Sequence, residues 1–317
     1  MKKITAVLIM TIMLACLICS CGEETVIIEG RSDFPVTVNG VEIASAPQRV
    51  ICLSPSITEI IYELGSYTQL YGVSDDCDWP EETAQKEKMG TSAEPDTEKI
   101  ISAVPDLVLV SGSLDESLSE SLSLRGIPVI SIEAAQSIEG LKDVYVSVAT
   151  ALAGKETGQI NGETTYNNLI DKIKQEASVA GMTLKRAVFI PADGIIAYSG
   201  SFISDIMSLA GAQNIAQSAD ESGDWAAYVA ALNPDYIFCA ADIEQSILSN
   251  PTLAETNAVK SGSVRGMDPA LYERQGGRIY EAAMEMYRFM YGTSDVSEAD
   301  SSAASDAASA EPAAEQE

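Results

Sequence analysis

The chain has 317 residues, 19 Lys+Arg against 47 Asp+Glu, a formal charge of −28 and no histidine. Without an imidazole, Ser-His-Asp and Cys-His catalysis, His-ligated zinc and proximal-His haem ligation are excluded. So acidic a chain also argues against a nucleic-acid partner, because phosphate binding needs clustered Lys and Arg, while the 46% hydrophobic fraction suits a globular chain with a real core.

Residues 1–20 read as a signal peptide. Lys2 and Lys3 give it a charged start, and its apolar run from Ile4 to Ile18 is shorter than the about 20 residues a membrane helix needs. Ile18-Cys19-Ser20-Cys21-Gly22 resembles a bacterial lipobox, cut before a cysteine that receives a diacylglycerol. Cys21 is the expected anchor, ahead of Cys16. Two acyl chains anchor stably where one is marginal, so the expected location is the outer, extracellular face of the cytoplasmic membrane. Residues 21–46 read as a lipid-anchored linker. Cys52 and Cys239 lie in apolar strand-like runs (RVICL, DYIFC) and read as core, and with Cys77 they make no CxxC framework or disulfide scaffold.

The middle of the chain is a duplication. RVICLSPSITEIIYELG from Arg49 and RAVFIPADGIIAYSGSFISDIMSLAG from Arg186 each give a basic residue, a strand, a Ser/Gly turn and an amphipathic helix ending at glycine. EKIISAVPDLVLVSG from Glu98 matches AAYVAALNPDYIFCAA from Ala226, each a helix ending at Pro-Asp followed by a strand. In the first copy strands are predicted near 49–53, 70–73, 107–110 and 128–132. Helices are predicted near 56–64 and 97–103, and between 113 and 125. Apolar strands alternating with helices indicate an α/β fold with parallel sheets. Residues 47–135 form an N-terminal α/β lobe and 183–292 a C-terminal one, both Rossmann-like. Between them, 136–182 carries apolar residues at helical spacing and reads as one long interdomain helix acting as a strut. A last helix is expected from about Arg274 to Met290. Residues 293–317 hold seven acids and no base, and read as a disordered acidic tail.

Two such lobes make a cleft between the C-terminal ends of their strands. Ser54-Pro55-Ser56 opens the first helix, with Ser56 to Glu59 as a capping box, and Ser199-Gly200-Ser201 takes the equivalent place in lobe two. Ser56 and Ser201 either cap their helices or help hold ligand oxygens. Asp75-Asp76-Cys77-Asp78 invites a calcium reading, but Pro80 and Glu81 occupy positions five and six of the loop counted from Asp76, where an EF-hand needs a glycine at six. No metal site is expected. Asp76 instead serves a ligand amide or its own turn.

In order along the chain, RVICLSPSITEIIYELG, YGVSDDCDWPEE, PDLVLVSG, GIPVISIEA, PDYIFCAA and AVKSGSVRGMDPALYERQGGRIYE resemble segments of the bacterial ABC-transporter solute-binding proteins of the cobalamin and iron-siderophore type. These are bilobed, with a single interdomain helix. The resemblance spans Pro47 to Gly292. It implies capture of a chelate outside the cell and delivery to a permease and its ATPase, with no catalysis and no resident cofactor. It also implies that Trp79 stacks on a corrinoid. Tyr198, Trp225, Tyr228 and Tyr272 are expected to line the cleft, and Arg278, with Arg274, to meet ligand carboxylates or to pair with nearby acids. In the family one acid per lobe docks on the permease. Glu98 matches in lobe one, whereas the repeat puts Ala227 at that place in lobe two. Asp224, or more weakly Glu221, is the substitute. A cobalamin-like ligand is expected, held by a monomer tethered to the membrane through its anchor. The alternatives are a ferric-siderophore or haem binder, and a surface sensor or adhesion lipoprotein that has lost transport.

Overall fold

The computed structural model describes residues 33–292 apart from 180 and 219–222. Cys21, the signal peptide, Glu221 and the acidic tail therefore lie outside the described residues. The described residues begin inside the segment read as a linker. Strands β1 (Val36–Val38) and β2 (Val41–Ile43) form an antiparallel hairpin. Its turn is Asn39-Gly40, at φ 49° and 81°, the left-handed pair that a two-residue hairpin requires. Val36, Val38 and Ile43 are buried in the main core, and Asn39 Nδ2 donates to Ser131 O at 2.7 Å. Residues 33–46 are thus part of the fold, which corrects the linker boundary.

Lobe one is a parallel sheet in the order β5-β4-β3-β6-β7, built from β3 (Val50–Cys52), β4 (Leu70–Val73), β5 (Glu87–Lys88), β6 (Leu107–Val110) and β7 (Val129–Ser131). Helices α1 (Pro55–Glu63), α2 (Thr97–Ser102) and α3 (Glu116–Ser123) connect its strands. α1 buries Ile57, Ile60 and Ile61, and its N-cap is Ser54. The proline explains why: Pro55 has no N–H to leave orphaned and suits the first helical position, so the cap falls on the residue before it. The predicted Ser56–Glu59 capping box does not form.

The segment 136–182 is two helices rather than one. α4 (Ile138–Ala153) is capped by Ser137, and α5 (Lys155–Ala177) starts after Gly154, at φ 89°. The chain reverses there. A Cβ at Gly158 would stand 2.4 Å from Thr150 Cα, and one at Gly162 would stand 2.6 Å from Val146 Cα. Two glycines one turn apart let α5 lie antiparallel against α4 at near backbone contact. A strict helical register in the sequence conceals this break, because the apolar stripes of the two helices are each continuous.

Lobe two comprises β8 (Lys185–Ala192), β9 (Ile195–Ala197), α6 (Phe202–Leu209), β10 (Ala212–Asn214), α7 (Trp225–Leu232), β11 (Tyr236–Ala240), α8 (Glu244–Ser249), α9 (Asn257–Ser261), β12 (Val264–Met267), α10 (Pro269–Glu273) and α11 (Ile279–Tyr291). Its strands run parallel in the order β10-β8-β11-β12, with β9 antiparallel on β8. One face of each sheet has its own apolar cluster, Ile51 to Leu122 in lobe one and Val188 to Val264 in lobe two. The other faces join a single core that runs through α4 and α5, from Val50 and Leu109 to Tyr145, Ile173, Phe189 and Met286.

Candidate functional site

Both parallel sheets present the C-terminal ends of their strands, and the loops that leave those ends carry the candidate residues. On lobe one, the turns after β3 and β6 bring Ser54, Ser56, Ser111 and Ser113 around a depression of about 290 Å³, with Ser92 at its side. Asp76 is half-buried and accepts hydrogen bonds from the backbone N–H and hydroxyl of Ser92. It therefore holds its own loop to the neighbouring one; burial pushes its carboxyl up, but the hydrogen bonds from Ser92 and Ser74 outweigh that and leave it below the usual range. Ser56 lines the depression; the capping role belongs to Ser54, which accepts from Ile57 N at 3.4 Å.

Trp79 lies away from the serines. It is 43% exposed and lines a larger cavity, about 700 Å³, with Glu59, Tyr62, Tyr67 and Lys86. This cavity lies on the flank of lobe one along α1, and Arg278 stacks against the Trp79 ring with its guanidinium carbon 5.4 Å from the centroid. Arg278 also reaches Asp268 at 3.7 Å.

Residues 274–278 of lobe two fasten onto lobe one. Arg274 Nη1 donates to Glu59 Oε1 at 3.1 Å and also to Asp78, while Nη2 donates to Asp78 Oδ2 at 3.2 Å. Gln275 Nε2 donates to Ala135 O at 2.8 Å, and the Gly277 N–H donates to Glu63 Oε1 at 2.6 Å. Tyr145 OH donates to the other oxygen of Glu63. Glu59 is 1% exposed and Arg274 only 18%. Burial raises the Glu59 carboxyl to about 7, although Arg274 pulls the other way. Burial likewise raises Glu63. The guanidinium holds the exposed Asp78 carboxyl below its usual range. The sequence reading allows Arg274 to pair with nearby acids, as it does here, but does not name Glu59, Asp78 or Glu63. The one further signal is an acid, Glu59, set between Thr58 and Ile60 in a run that buries every neighbour.

Lobe two contributes a different rim. β8 continues into a tight turn at Asp193-Gly194 and returns as β9, so a hairpin stands between the first strand and its helix. Ser201 is the N-cap of α6, accepting from Ser204 N at 3.3 Å, and Ser199 N donates to Ala216 O. Ser201 is therefore no equivalent of the lobe-one turn, where helix follows strand directly. Tyr198 and Ile195 stand 47% and 57% exposed. A Cβ at Gly194 would lie 3.7 Å from Trp225 Cδ1, so the hairpin tip rests beside the indole. Tyr228 packs on the lobe-two cluster and donates to Ser218 O at 3.2 Å. Tyr272 is a core residue, 1% exposed, with its ring 4.7 Å from Phe189 in an edge-to-face contact. It does not line the cleft, because α10 turns its side chain inward onto the sheet.

The two Pro-Asp helices start alike. Asp96 caps α2 and Asp224 caps α7, each accepting from the third helical N–H. Glu98 stands two residues beyond its cap. The same step from Asp224 reaches Ala226, which is 7% exposed, whereas counting back from Pro234-Asp235 reaches Ala227. α7 is one residue longer between cap and proline, so the two registers diverge. Neither offers an acid, and Asp224 is committed to the cap.

A profile of the periplasmic binding protein family matches residues 50–271. An uncharacterized ABC transporter substrate-binding lipoprotein of Bacillus subtilis is 29% identical over 92% of this chain and 98% of its own length. A cobalamin-binding protein of Halobacterium salinarum is 24% identical over 82% of this chain and 75% of its own. Among solved structures, a periplasmic haem-binding protein of Vibrio cholerae superposes with a TM-score of 0.65 at 18% identity, covering 77% of this chain and 99% of its own. The likeness between these chains is one of fold, and the ligands named for them differ.

Proposed function

The chain belongs to the periplasmic binding protein family, whose members are non-enzymatic components that serve the permease and ATPase subunits of ABC importers, and from that premise we propose that its ligand is a corrinoid of the cobalamin type. One observation carries this reading. The lobe-two rim exposes flat apolar surface, Tyr198 with Ile195, and Trp79 is exposed on the flank of lobe one, while the Arg274 guanidinium is held by Glu59 and Asp78. Large aromatic surface suits a broad, mostly uncharged macrocycle. The serine hydroxyls and backbone amides at the start of α1 suit its amide side chains. At Arg274 a strongly anionic ferric siderophore would meet the carboxylates of the clasp rather than a free guanidinium. The relative named as a cobalamin-binding protein supports the same choice.

The same reading places the protein outside the cell, anchored through Cys21 and acting as a monomer. The Bacillus relative described as a lipoprotein supports the anchor. Glu98 and Asp224 are the proposed contacts to the permease, with lobe two the weaker partner.

Calorimetry with cyanocobalamin and a panel of ferric siderophores on the full chain in detergent tests the ligand. Micromolar or tighter cobalamin binding is expected, weakened about tenfold by Tyr198→Ala. Heat with a siderophore and none with cobalamin overturns the assignment. Metabolic labelling with a radioactive fatty acid tests the anchor: Cys21→Ala should abolish the label.

A further inference from the structure

The flank cavity beneath Trp79 has features that corrinoid capture does not use. Tyr62 and Tyr67 stack within it, centroids 5.5 Å apart and planes inclined by 10°. Tyr67 is 46% exposed and Trp79 43%, so aromatic surface is left uncovered around the same space. Three carboxylates, Glu59, Glu63 and Glu82, share the walls with one lysine. That lysine is committed: Lys86 Nζ donates to Tyr67 O at 2.8 Å and to Leu70 O at 2.7 Å. Glu63 is committed as well, to Tyr145 and Gly277.

Two buried polar atoms in the walls have no partner, Glu59 Oε2 and Tyr62 OH. Glu59 is 1% exposed, and only its other oxygen meets Arg274. A buried acceptor left unpaired is costly, and such groups are normally satisfied. Arg274 meets only the other oxygen of Glu59, Arg278 lies over the Trp79 ring, and the lining lysine is committed elsewhere, so no cationic donor reaches Glu59 Oε2. Aromatic faces attract the same kind of group, because the ring quadrupole favours a cation over its face. A volume of about 700 Å³ is in the range that holds a small organic molecule.

We propose that this cavity is a second ligand site, distinct from the cleft between the strand ends, and that it takes an organic ammonium ion: a protonated amine on an aromatic or alkyl body, its N–H donating to Glu59 Oε2 and its body lying against Tyr62, Tyr67 and Trp79. The proposal does not depend on the identity of the cleft ligand. Because Glu59 also holds Arg274, an ammonium bound here would meet the clasp between lobe one and residues 274–278.

Benzylammonium is the probe, with benzyl alcohol and benzoate as neutral and anionic counterparts of the same shape. The full chain in detergent, carrying Trp225→Phe so that Trp79 is the one tryptophan left to report, is titrated by fluorescence and, unsubstituted, by calorimetry. Benzylammonium is expected to bind at least about tenfold more tightly than benzyl alcohol. Tyr67→Ala removes an exposed ring and should leave thermal unfolding in place while weakening benzylammonium at least about fivefold. Glu59→Gln should erase the preference for the cation. Equal affinity for all three probes, no saturable binding at millimolar concentration, or unchanged affinity in both variants overturns the site. A parallel cyanocobalamin titration separates this outcome from the cleft: loss of one ligand without the other identifies which assignment failed.

Discussion

The two lobes share a chassis and differ at their rims. In lobe one, Asp106 accepts from Gln48 N at 2.7 Å and Arg49 N at 2.9 Å, and Arg49 reaches Ala103 O at the end of α2. In lobe two, Arg186 donates to Leu232 O at 2.9 Å and Asn233 O at 3.3 Å at the end of α7, and pairs with Asp235 at 4.0 Å. Each copy thus uses an arginine at the start of its first strand to satisfy the carbonyls of the helix that ends at Pro-Asp. Above this common base the copies part. Lobe one runs from strand to helix through Ser54-Pro55 and carries the serine depression and the flank cavity. Lobe two inserts the β8–β9 hairpin and lifts Tyr198 and Ile195 into solvent. The repeated features hold each sheet together, and the unrepeated ones supply the surfaces where a ligand or partner is discriminated.

Removing the clasp breaks the relation between the lobes most severely. Arg274→Ala leaves the buried Glu59 without its bonded counter-charge, and losing one partner of a buried pair costs about 3–5 kcal/mol. Urea unfolding at pH 8 should show that loss. At pH 5 it should be smaller, because a protonated Glu59 needs no cation. Equal losses at both pH values would mean that Arg274 acts through packing alone.

The next effect is read through Glu59 itself. Burial raises its carboxyl to about 7 from 4.5, so the folded chain holds the proton more tightly than the unfolded one. The contribution to stability is therefore complete below about 4.5 and is lost as pH rises through about 7. Arg274, Arg278 and Glu63 set that field. Glu59→Gln removes the titration, so its stability relative to the parent should climb between pH 5 and pH 8, by roughly 2 kcal/mol. Exposed acids such as Asp78 titrate with the opposite sign and are common to both proteins, so the difference isolates Glu59. A flat difference profile would show that Glu59 stays ionised throughout.

Much of this was readable without coordinates, and the misses have physical reasons. The strands at 70–73 and 107–110 coincide with the predicted spans because long apolar runs between turn residues leave little choice. The hairpin at 36–43 is equally readable, since Val-Asn-Gly-Val carries the two-residue turn signal, but it lies inside the segment read as a linker. β9 and β10, with three residues each, are too short to carry a period. Tyr272 reads as a rim aromatic from its place in a loop-like stretch, yet a one-turn helix directs it onto Phe189. Glu59 reads as a capping partner from spacing alone. Only its partner 215 residues away reveals a buried pair, and no local pattern reports a contact at that separation.

The smallest effect tests the chassis, and it runs between the lobes rather than within one. Asp106 takes two backbone N–H bonds that tie the start of β3 to the start of β6, whereas Asp235 takes one side-chain bond, from Asn257 at 2.9 Å, and a long pair with Arg186. Both groups of the Arg186–Asp235 pair are more than 40% exposed, and exposed pairs contribute about 0–1 kcal/mol. Hydrogen bonds to a charged acceptor are worth about 1.5–3 kcal/mol when they are well made. Asp106→Ala is therefore expected to destabilise by about 1.5–3 kcal/mol and Asp235→Ala by less than about 1, measured by urea unfolding of single variants. The repeat alone predicts equal losses, since both residues occupy the same motif. Unequal losses in the stated order mean that each lobe has re-used the motif with its own bonds, and equal losses would place the stability of both copies in the strand and helix they share.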